Sequence, residues 1–366
     1  MHIRAQRELL IHALSKVGGV VERRHTLPIL GNIHIHADLD RLTLTGTDRE
    51  VEIRTHLESG VSESGDITVP ARKFIDIARS LPEGVEISFK VQNQRATITA
   101  GRSRFNLSTL PAEDYPLMEL ESGDHRIEIE QGVFKDLLDK TAFAMANQDV
   151  RYYLNGLLLK LDARGITAVA TDGHRLARLE RSLRLQVEEP LQVIIPRKTV
   201  LELVRLLDAA GDAVQLNFSS RTLRTDFGDI IMTSKLVDGR YPEYERVIPL
   251  MADKVAILDR EGLRQSLLRT SILSNEKFKG VRLSFALNEL TIRAHNPEQE
   301  EAEETLAIEY TDEPITIGFN VGYLLDVLSV INDSRVEFRL ADANSSALMR
   351  GAGCEDQTYV VMPMLL

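Results

Sequence analysis

The sequence predicts an α+β chain of three homologous domains, each made of two helix-plus-strand units with mainly antiparallel sheet. Three observations lead there. Short landmarks recur in one order at a period near 124 residues. Within each period the apolar spacing switches between helical and alternating. The 366 residues are 43% hydrophobic and 27% charged, an ordinary globular balance that can bury real cores at roughly 120 residues per domain.

The landmarks fall into three sets. Phe74-Ile75-Asp76-Ile77, Val200-Leu201-Glu202-Leu203 and Leu324-Leu325-Asp326-Val327 share two apolar residues, an acid and an apolar residue. Ile33, Leu157 and Val281 each open a strand-like run that leads to Thr47-Asp48, Thr171-Asp172 or His295-Asn296. Tyr115-Pro116, Tyr241-Pro242 and Met362-Pro363 close each period. Domain limits of 1–121, 122–250 and 251–366 follow, with polar, turn-rich linkers at Glu119–Asp124 and after Pro249.

In the first domain, Leu9, Leu10, Ala13, Leu14 and Val17 share a helical face. Residues 33–35, 42–44 and 51–53 then alternate as strands. Residues 71–81 return to helical spacing, with Pro70 at a favoured helix start. Alternation resumes over 85–89, 96–99 and 104–107. The later domains repeat the order, giving six helices for the chain.

Composition excludes several classes. Cys354, the single cysteine, leaves no disulfide framework and no Cys-based zinc site within one chain. The N-terminal residues lack a signal-peptide core, and no run approaches 18 apolar residues, so a cytoplasmic protein without membrane contact is expected. No phosphate-binding loop, dinucleotide fingerprint, nucleophile elbow or H-E-x-x-H occurs. Asp172 and His174 offer acid–base chemistry and hence a hydrolase reading, but no nucleophile accompanies them, and Asp172-Gly173 reads more simply as a turn. No catalytic residue, cofactor or metal site is expected. Cys354, among glycines and acids, reads as a surface-loop thiol.

Charge is more informative. The chain holds 44 Lys+Arg and 55 Asp+Glu, for a net charge of −11, which taken whole argues against a nucleic-acid partner. Yet the expected helical segments 4–16, 70–79, 132–140, 196–206, 260–269 and 322–331 together carry +7, leaving −18 elsewhere. An acidic exterior with mildly basic helices permits nucleic acid to meet the helices alone. The run Glu298–Glu304 is either a solvated acidic face or a surface complementary to a basic patch near Arg72 and Lys73. The terminal Tyr359–Leu366 is apolar, with two methionines beside a proline. It is a buried strand, or one wall of a groove for partner peptides.

Taken together, Thr26–Leu30, Leu44–Asp48, Val69–Lys73, Arg102–Phe105, Gln148–Gly156, Ala170–Leu176, Ser234–Gly239, Ile272–Phe278, Asn296–Glu301 and Tyr359–Met364 resemble the bacterial sliding-clamp family, the β subunits of DNA polymerase III. The resemblance spans the whole chain. It implies the DNA-clamp fold and a head-to-tail homodimer that closes a ring, with helices lining the hole and sheets outside. Such a ring encircles double-stranded DNA without sequence preference or catalysis, and tethers the replicative polymerase. It further implies docking of the clamp loader, other polymerases, ligase and mismatch-repair proteins through short peptide motifs.

Carried over by resemblance, Arg24, Arg72, Gln148, Tyr152 and Tyr153 would contact DNA. Lys73, Ile77, Leu81, Phe105 and Leu107 would face Ile272, Leu273, Glu298 and Glu300 of a second copy, which gives the acidic run a partner. The peptide cleft would use Leu154, then Thr171, Gly173, His174, Arg175 and Leu176 of the turn, Pro242, Arg246 and Val247 after the second Tyr-Pro, Ser346, and the terminal Val361, Met362, Pro363 and Met364. Leu365 departs from the arginine usual there, leaving Arg175 and Arg246 to meet polar groups of a partner tail. A protein–protein scaffold without a DNA role is the remaining alternative.

Overall fold

The structure is a computed structural model that describes residues 1–22, 27–38, 41–119, 125–187, 189–249 and 251–365. The first repeat runs β1 (His2–Gln6), α1 (Arg7–Gly18), β2 (Asn32–Asp38), β3 (Arg41–Thr47), β4 (Val51–Glu58), β5 (Gly60–Glu63), β6 (Gly65–Pro70), α2 (Ala71–Ser80), β7 (Glu86–Gln92), β8 (Arg95–Ala100) and β9 (Ser103–Ser108). The second runs β10 (His125–Glu130), α3 (Gln131–Asp139), β11 (Gly156–Asp162), β12 (Gly165–Thr171), β13 (Arg175–Ser182), β14 (Leu191–Pro196), α4 (Arg197–Leu206), β15 (Ala213–Phe218), β16 (Thr222–Phe227) and β17 (Ile230–Lys235). The third runs β18 (Lys254–Asp259), α5 (Arg260–Ser271), β19 (Gly280–Ala286), β20 (Glu289–His295), β21 (Glu301–Ala307), β22 (Ile315–Asn320), α6 (Val321–Val330), β23 (Arg335–Leu340), β24 (Ala347–Gly351) and β25 (Gln357–Val361).

Burial explains the landmarks. Ile33, Leu157 and Val281 are fully buried, as are Val200 and Leu324, with Phe74 close behind. Each buried aliphatic or aromatic side chain contributes roughly 1.5–3 kcal/mol, so these positions tolerate little change. The other two landmarks touch each other. The Tyr115 hydroxyl accepts the Thr47 N–H at 3.1 Å, and the Tyr241 hydroxyl accepts the Thr171 N–H at 3.0 Å. Met362, in the third set, instead donates its N–H to the His174 carbonyl at 2.9 Å.

Contacts gather the chain into two compact units, residues 1–135 with 201–236, and residues 136–200 with 237–366. The expected domain limits at 121–122 and 250–251 fall in or beside residues outside the described set. In the first unit, β5-β1-β7-β8-β9 form one sheet and β10-β15-β16-β17-β4-β3-β2-β6 another. In the second, β14-β11-β12-β13-β25-β24-β23-β18 and β21-β20-β19-β22 do so. The two eight-stranded sheets share a design: the last strand of one repeat pairs antiparallel with the third long strand of the repeat before it. Ile230 faces Thr55 and Ser234 faces Val51, while Arg175 faces Val361 and Leu179 faces Gln357.

Two helix limits that bear on the charge count differ from the expectation. Arg4 lies in β1, whose alternating burial seats Ile3 and Ala5 in the core, so α1 begins only at Arg7. Lys140 falls just beyond α3. The helix charges are therefore +1 for α1, +2 each for α2, α4 and α5, and −1 each for α3 and α6, less than the +7 expected. The sign survives because Arg72, Lys73, Arg79, Arg197, Lys198 and Arg205 all sit within helices.

Candidate functional site

Asp172, Gly173 and His174 form the turn between β12 and β13. Gly173 takes φ +88°, a conformation open to glycine at no steric cost. The Asp172 carboxylate accepts the N–H groups of His174 at 2.9 Å and Arg175 at 3.0 Å. Thr171 Oγ1 donates to the Arg175 carbonyl at 2.6 Å. Asp172 is thus a turn former, and the His174 ring stacks on Tyr323 at 6.1 Å rather than on a nucleophile.

Arg175 turns inward from the same loop. Its guanidinium bonds Asp172 at 3.1 Å, the Phe143 carbonyl at 2.9 Å, and Asp326 on α6. It also lies 4.7 Å from the Tyr323 ring centre and 5.4 Å from that of Phe143. Only 12% of the side chain is exposed. Arg175 thus ties the turn to α6 through two carboxylates and a carbonyl, with little of its side chain exposed. Arg246 is the available cation, 80% exposed and paired with Glu243.

Beside this turn lies a buried apolar cluster of Leu154, Leu158, Val169, Leu176, Ile194, Tyr241, Tyr244 and Val360, none more than 7% exposed, with Tyr153, Val237 and Ile248 partly buried against it. Pro242, Arg246 and Val247 are exposed along one side, and Ser346 Oγ donates to the Val247 carbonyl at 3.4 Å. Val361 is buried at the end of β25, followed by half-buried Met362, Pro363 and Met364. Met364 N–H is held by the Gly318 carbonyl at 2.8 Å, and Leu365 is 95% exposed. The expected cleft residues therefore all lie in one unit. Sequence reasoning missed Tyr244, Val360, Tyr323 and Asp326. Asp326 had a signal, as the acid of the repeated helix motif; its counterparts Glu202 and Asp76 also face arginines, Arg205 at 2.5 Å and Arg72 at 3.9 Å.

The other expected sites are dispersed. Arg24 lies outside the described residues. Arg72 is exposed on α2 in the first unit. Gln148, at φ +57°, and Tyr152, 57% exposed and edge-on to Tyr153 at 5.7 Å, belong to the second. Between them Arg151 hydrogen-bonds Asp149 and pulls its carboxyl down to about 2. Lys73 is exposed, and Ile77 and Phe105 are half-buried, but Leu81 and Leu107 are already buried in their own unit and have little surface left to offer. Ile272 is 76% exposed, Leu273 half-buried, and Glu298 exposed, while Glu300 accepts from Asn296 at 2.6 Å. Glu303 and Glu304 pair with Arg293 and Arg269 of their own repeat.

Among the described residues no group of three or more His, Cys, Asp or Glu is placed to hold a metal, and no helix is long and apolar enough to cross a membrane. The Cys354 thiol is pushed up by burial and by Asp333 at 3.4 Å, away from nucleophilic reactivity.

Sequence profiles of the DNA polymerase III β subunit match in succession: the N-terminal domain over residues 1–119, the central domain over 128–243 and the C-terminal domain over 245–365. A β sliding clamp of Pseudomonas putida is 50% identical over the full length of both chains, and that of Escherichia coli 45%. A crystal structure of the DNA polymerase III β subunit from Pseudomonas aeruginosa superposes over all of both chains with a TM-score of 0.95 at 49% identity.

Proposed function

Because the chain belongs to the DNA polymerase III β-subunit family, the sliding clamps, we propose that it works as a head-to-tail homodimeric ring around duplex DNA, with the expected contact residues in the roles given above. It is a non-catalytic processivity factor that serves the replicative polymerase on DNA. One observation carries the closure. The strand joint between neighbouring repeats occurs twice within the chain, β17 on β4 and β25 on β13. Among the described residues β9 and β21 each have a single neighbour in their sheets, so each leaves one edge open. Joining the open edge of β9 to that of β21 on a second copy continues the series and closes it by two-fold symmetry.

The mechanism is topological. A closed ring converts dissociation into sliding, so strong phosphate contacts would only add friction. Helices of net charge +2 or less suit that task, with Arg24, Arg72, Gln148, Tyr152 and Tyr153 making sparse, sequence-independent contacts. The patch beside the Asp172–His174 turn then receives short peptide tails whose apolar anchors bury against Leu154, Leu176 and Val360. Partners of this kind are the polymerase catalytic subunit, the clamp loader, other polymerases, ligase and mismatch-repair proteins, all in the cytoplasm.

The test is loading onto nicked circular DNA. The protein is expected to stay on the circle at a salt concentration that strips ordinary DNA binders, and to leave after linearisation. Equal retention on both forms would overturn the topological mechanism and favour a scaffold. His174→Ala is expected to weaken peptide binding with no turnover to lose, whereas a hydrolase would lose activity.

A further inference from the structure

The two strand joints are built alike in backbone and unlike in side chains. At the joint of β4 with β17, Lys235 N–H meets the Glu50 carbonyl at 2.9 Å; at the joint of β13 with β25, Met362 N–H meets the His174 carbonyl at 2.9 Å. Leu110 N–H binds the Thr68 carbonyl at 3.2 Å as Val237 N–H binds that of Ile194 at 2.9 Å. The tyrosine of each Tyr-Pro landmark is pinned to the turn beside its joint. With the backbones matched, Leu158 on β11 and Leu176 on β13 have counterparts 124 residues earlier on β2 and β4. Leu158 and Leu176 become His34 and Glu52, and Val360, opposite Leu176, becomes Thr233, opposite Glu52.

These polar replacements are buried. Glu52 is 2% exposed, His34 6% and Thr233 3%. Glu52 Oε2 accepts the N–H of Met118 at 2.8 Å, and Oε1 accepts from Arg54 at 3.0 Å. His34 stacks on the Tyr115 ring at 5.4 Å and is hydrogen-bonded to Asp66. Tyr115 is pinned to Thr47 just as Tyr241 is to Thr171, and the tie peculiar to the first joint is Met118 N–H on Glu52, which holds segment 115–118 against β4.

We propose that the first joint is a closed counterpart of the peptide cleft: the chain's own segment 115–118 occupies it, and Glu52 with His34 bars apolar peptide anchors. An anchor pressed against Glu52 would separate the carboxylate from Met118 N–H with no water to replace the bond. The exclusion is chemical rather than steric. It limits each protomer to one apolar peptide site although the fold repeats the joint, so one ring presents two competing sites and not four. The inference rests on the reading of the second joint as the peptide cleft.

Two measurements on the full-length dimer test it. The first is calorimetric stoichiometry for an acetylated pentapeptide with apolar anchor side chains. One peptide per protomer is expected for the parent, and two for the Glu52→Leu/His34→Leu/Thr233→Val variant. The second is hydrogen exchange at the Met118 amide, expected to quicken at least tenfold in Glu52→Leu and to stay slow in Glu52→Gln, whose amide oxygen still accepts. Stoichiometry that remains at one in a folded, dimeric triple variant overturns the exclusion. Unchanged Met118 exchange in Glu52→Leu overturns the closure. No peptide binding by the parent sinks the cleft reading instead, and the exchange result still decides whether segment 115–118 is latched.

Discussion

Arg175, expected from resemblance in the peptide cleft, takes a structural task from its surroundings as well. Bonded to Asp172, Asp326 and the Phe143 carbonyl and flanked by two rings, it braces the turn that presents His174. Arg175→Ala strands two carboxylates and is expected to cost about 3 kcal/mol, read as a lower thermal midpoint together with weakened peptide binding. Arg175→Lys recovers little, because a single ammonium cannot reach that many partners at once. His34 gives a pH signature. Burial holds its imidazole below the usual range, with the Asp66 carboxylate opposing. The unfolded chain therefore takes up the proton first. The stability due to neutral His34 is complete above its unfolded pKa of ~6.5 and is lost as pH falls through the lower folded value. His34→Leu is expected to flatten the decline of the thermal midpoint between about pH 7 and 5 relative to the parent; an unchanged slope would remove His34 from the account. Thr171, Asp172 and Gly173 were legible as a turn from local chemistry. Tyr323 and Phe143 were not, because their role depends on which strand and helix bring them to Arg175.

Among elements, α1 is the most closely tied. Its apolar stripe buries Leu10, Ala13, Leu14 and Val17, and the helix packs on β3 and β4. Its last turn is capped from α4: Arg205 donates to the carbonyls of Ser15 at 3.0 Å and Lys16 at 2.8 Å. Lys16 reaches Asp229, whose other partner is Thr55 Oγ1 at 2.6 Å. Lys16 is 12% exposed in its side chain and Asp229 37%, so the pair is partly screened. A double-mutant cycle of Lys16→Ala and Asp229→Ala is expected to give a coupling of about 1 kcal/mol in urea unfolding, and zero coupling would assign the geometry no energetic weight. Helical spacing alone identified this element from Arg7 onward. It could not separate Arg4 from the helix, since five alternating residues are too short a strand to declare themselves beside a longer helical pattern.

For the whole molecule, the open edges of β9 and β21 make dimerisation the step on which ring function depends. Ile272, 76% exposed, is the largest apolar surface among the expected interface residues. Ile272→Asp is expected to weaken the dimer by roughly 2 kcal/mol, about thirtyfold, in sedimentation equilibrium, and to abolish retention on circular DNA in parallel. Loss of retention with the dimer intact would separate the two. The net charge of −11 takes its meaning at this scale: α1, α2, α4 and α5 are positive within an acidic chain, so the whole-chain sum hides what those helices can offer a phosphate backbone.

The sequence by itself determined the three-fold repetition, the element order and the apolar faces, because burial of Ile33, Leu157, Val281 and the helix motifs leaves a periodic trace in residue type. Tertiary structure decided which repeated positions meet. Long-range strand pairing puts Val360 on Leu176 but Thr233 on Glu52, and a pairing across more than 180 residues leaves no local signature. One joint therefore carries a buried apolar cluster and its counterpart buried polar groups, from the same backbone plan.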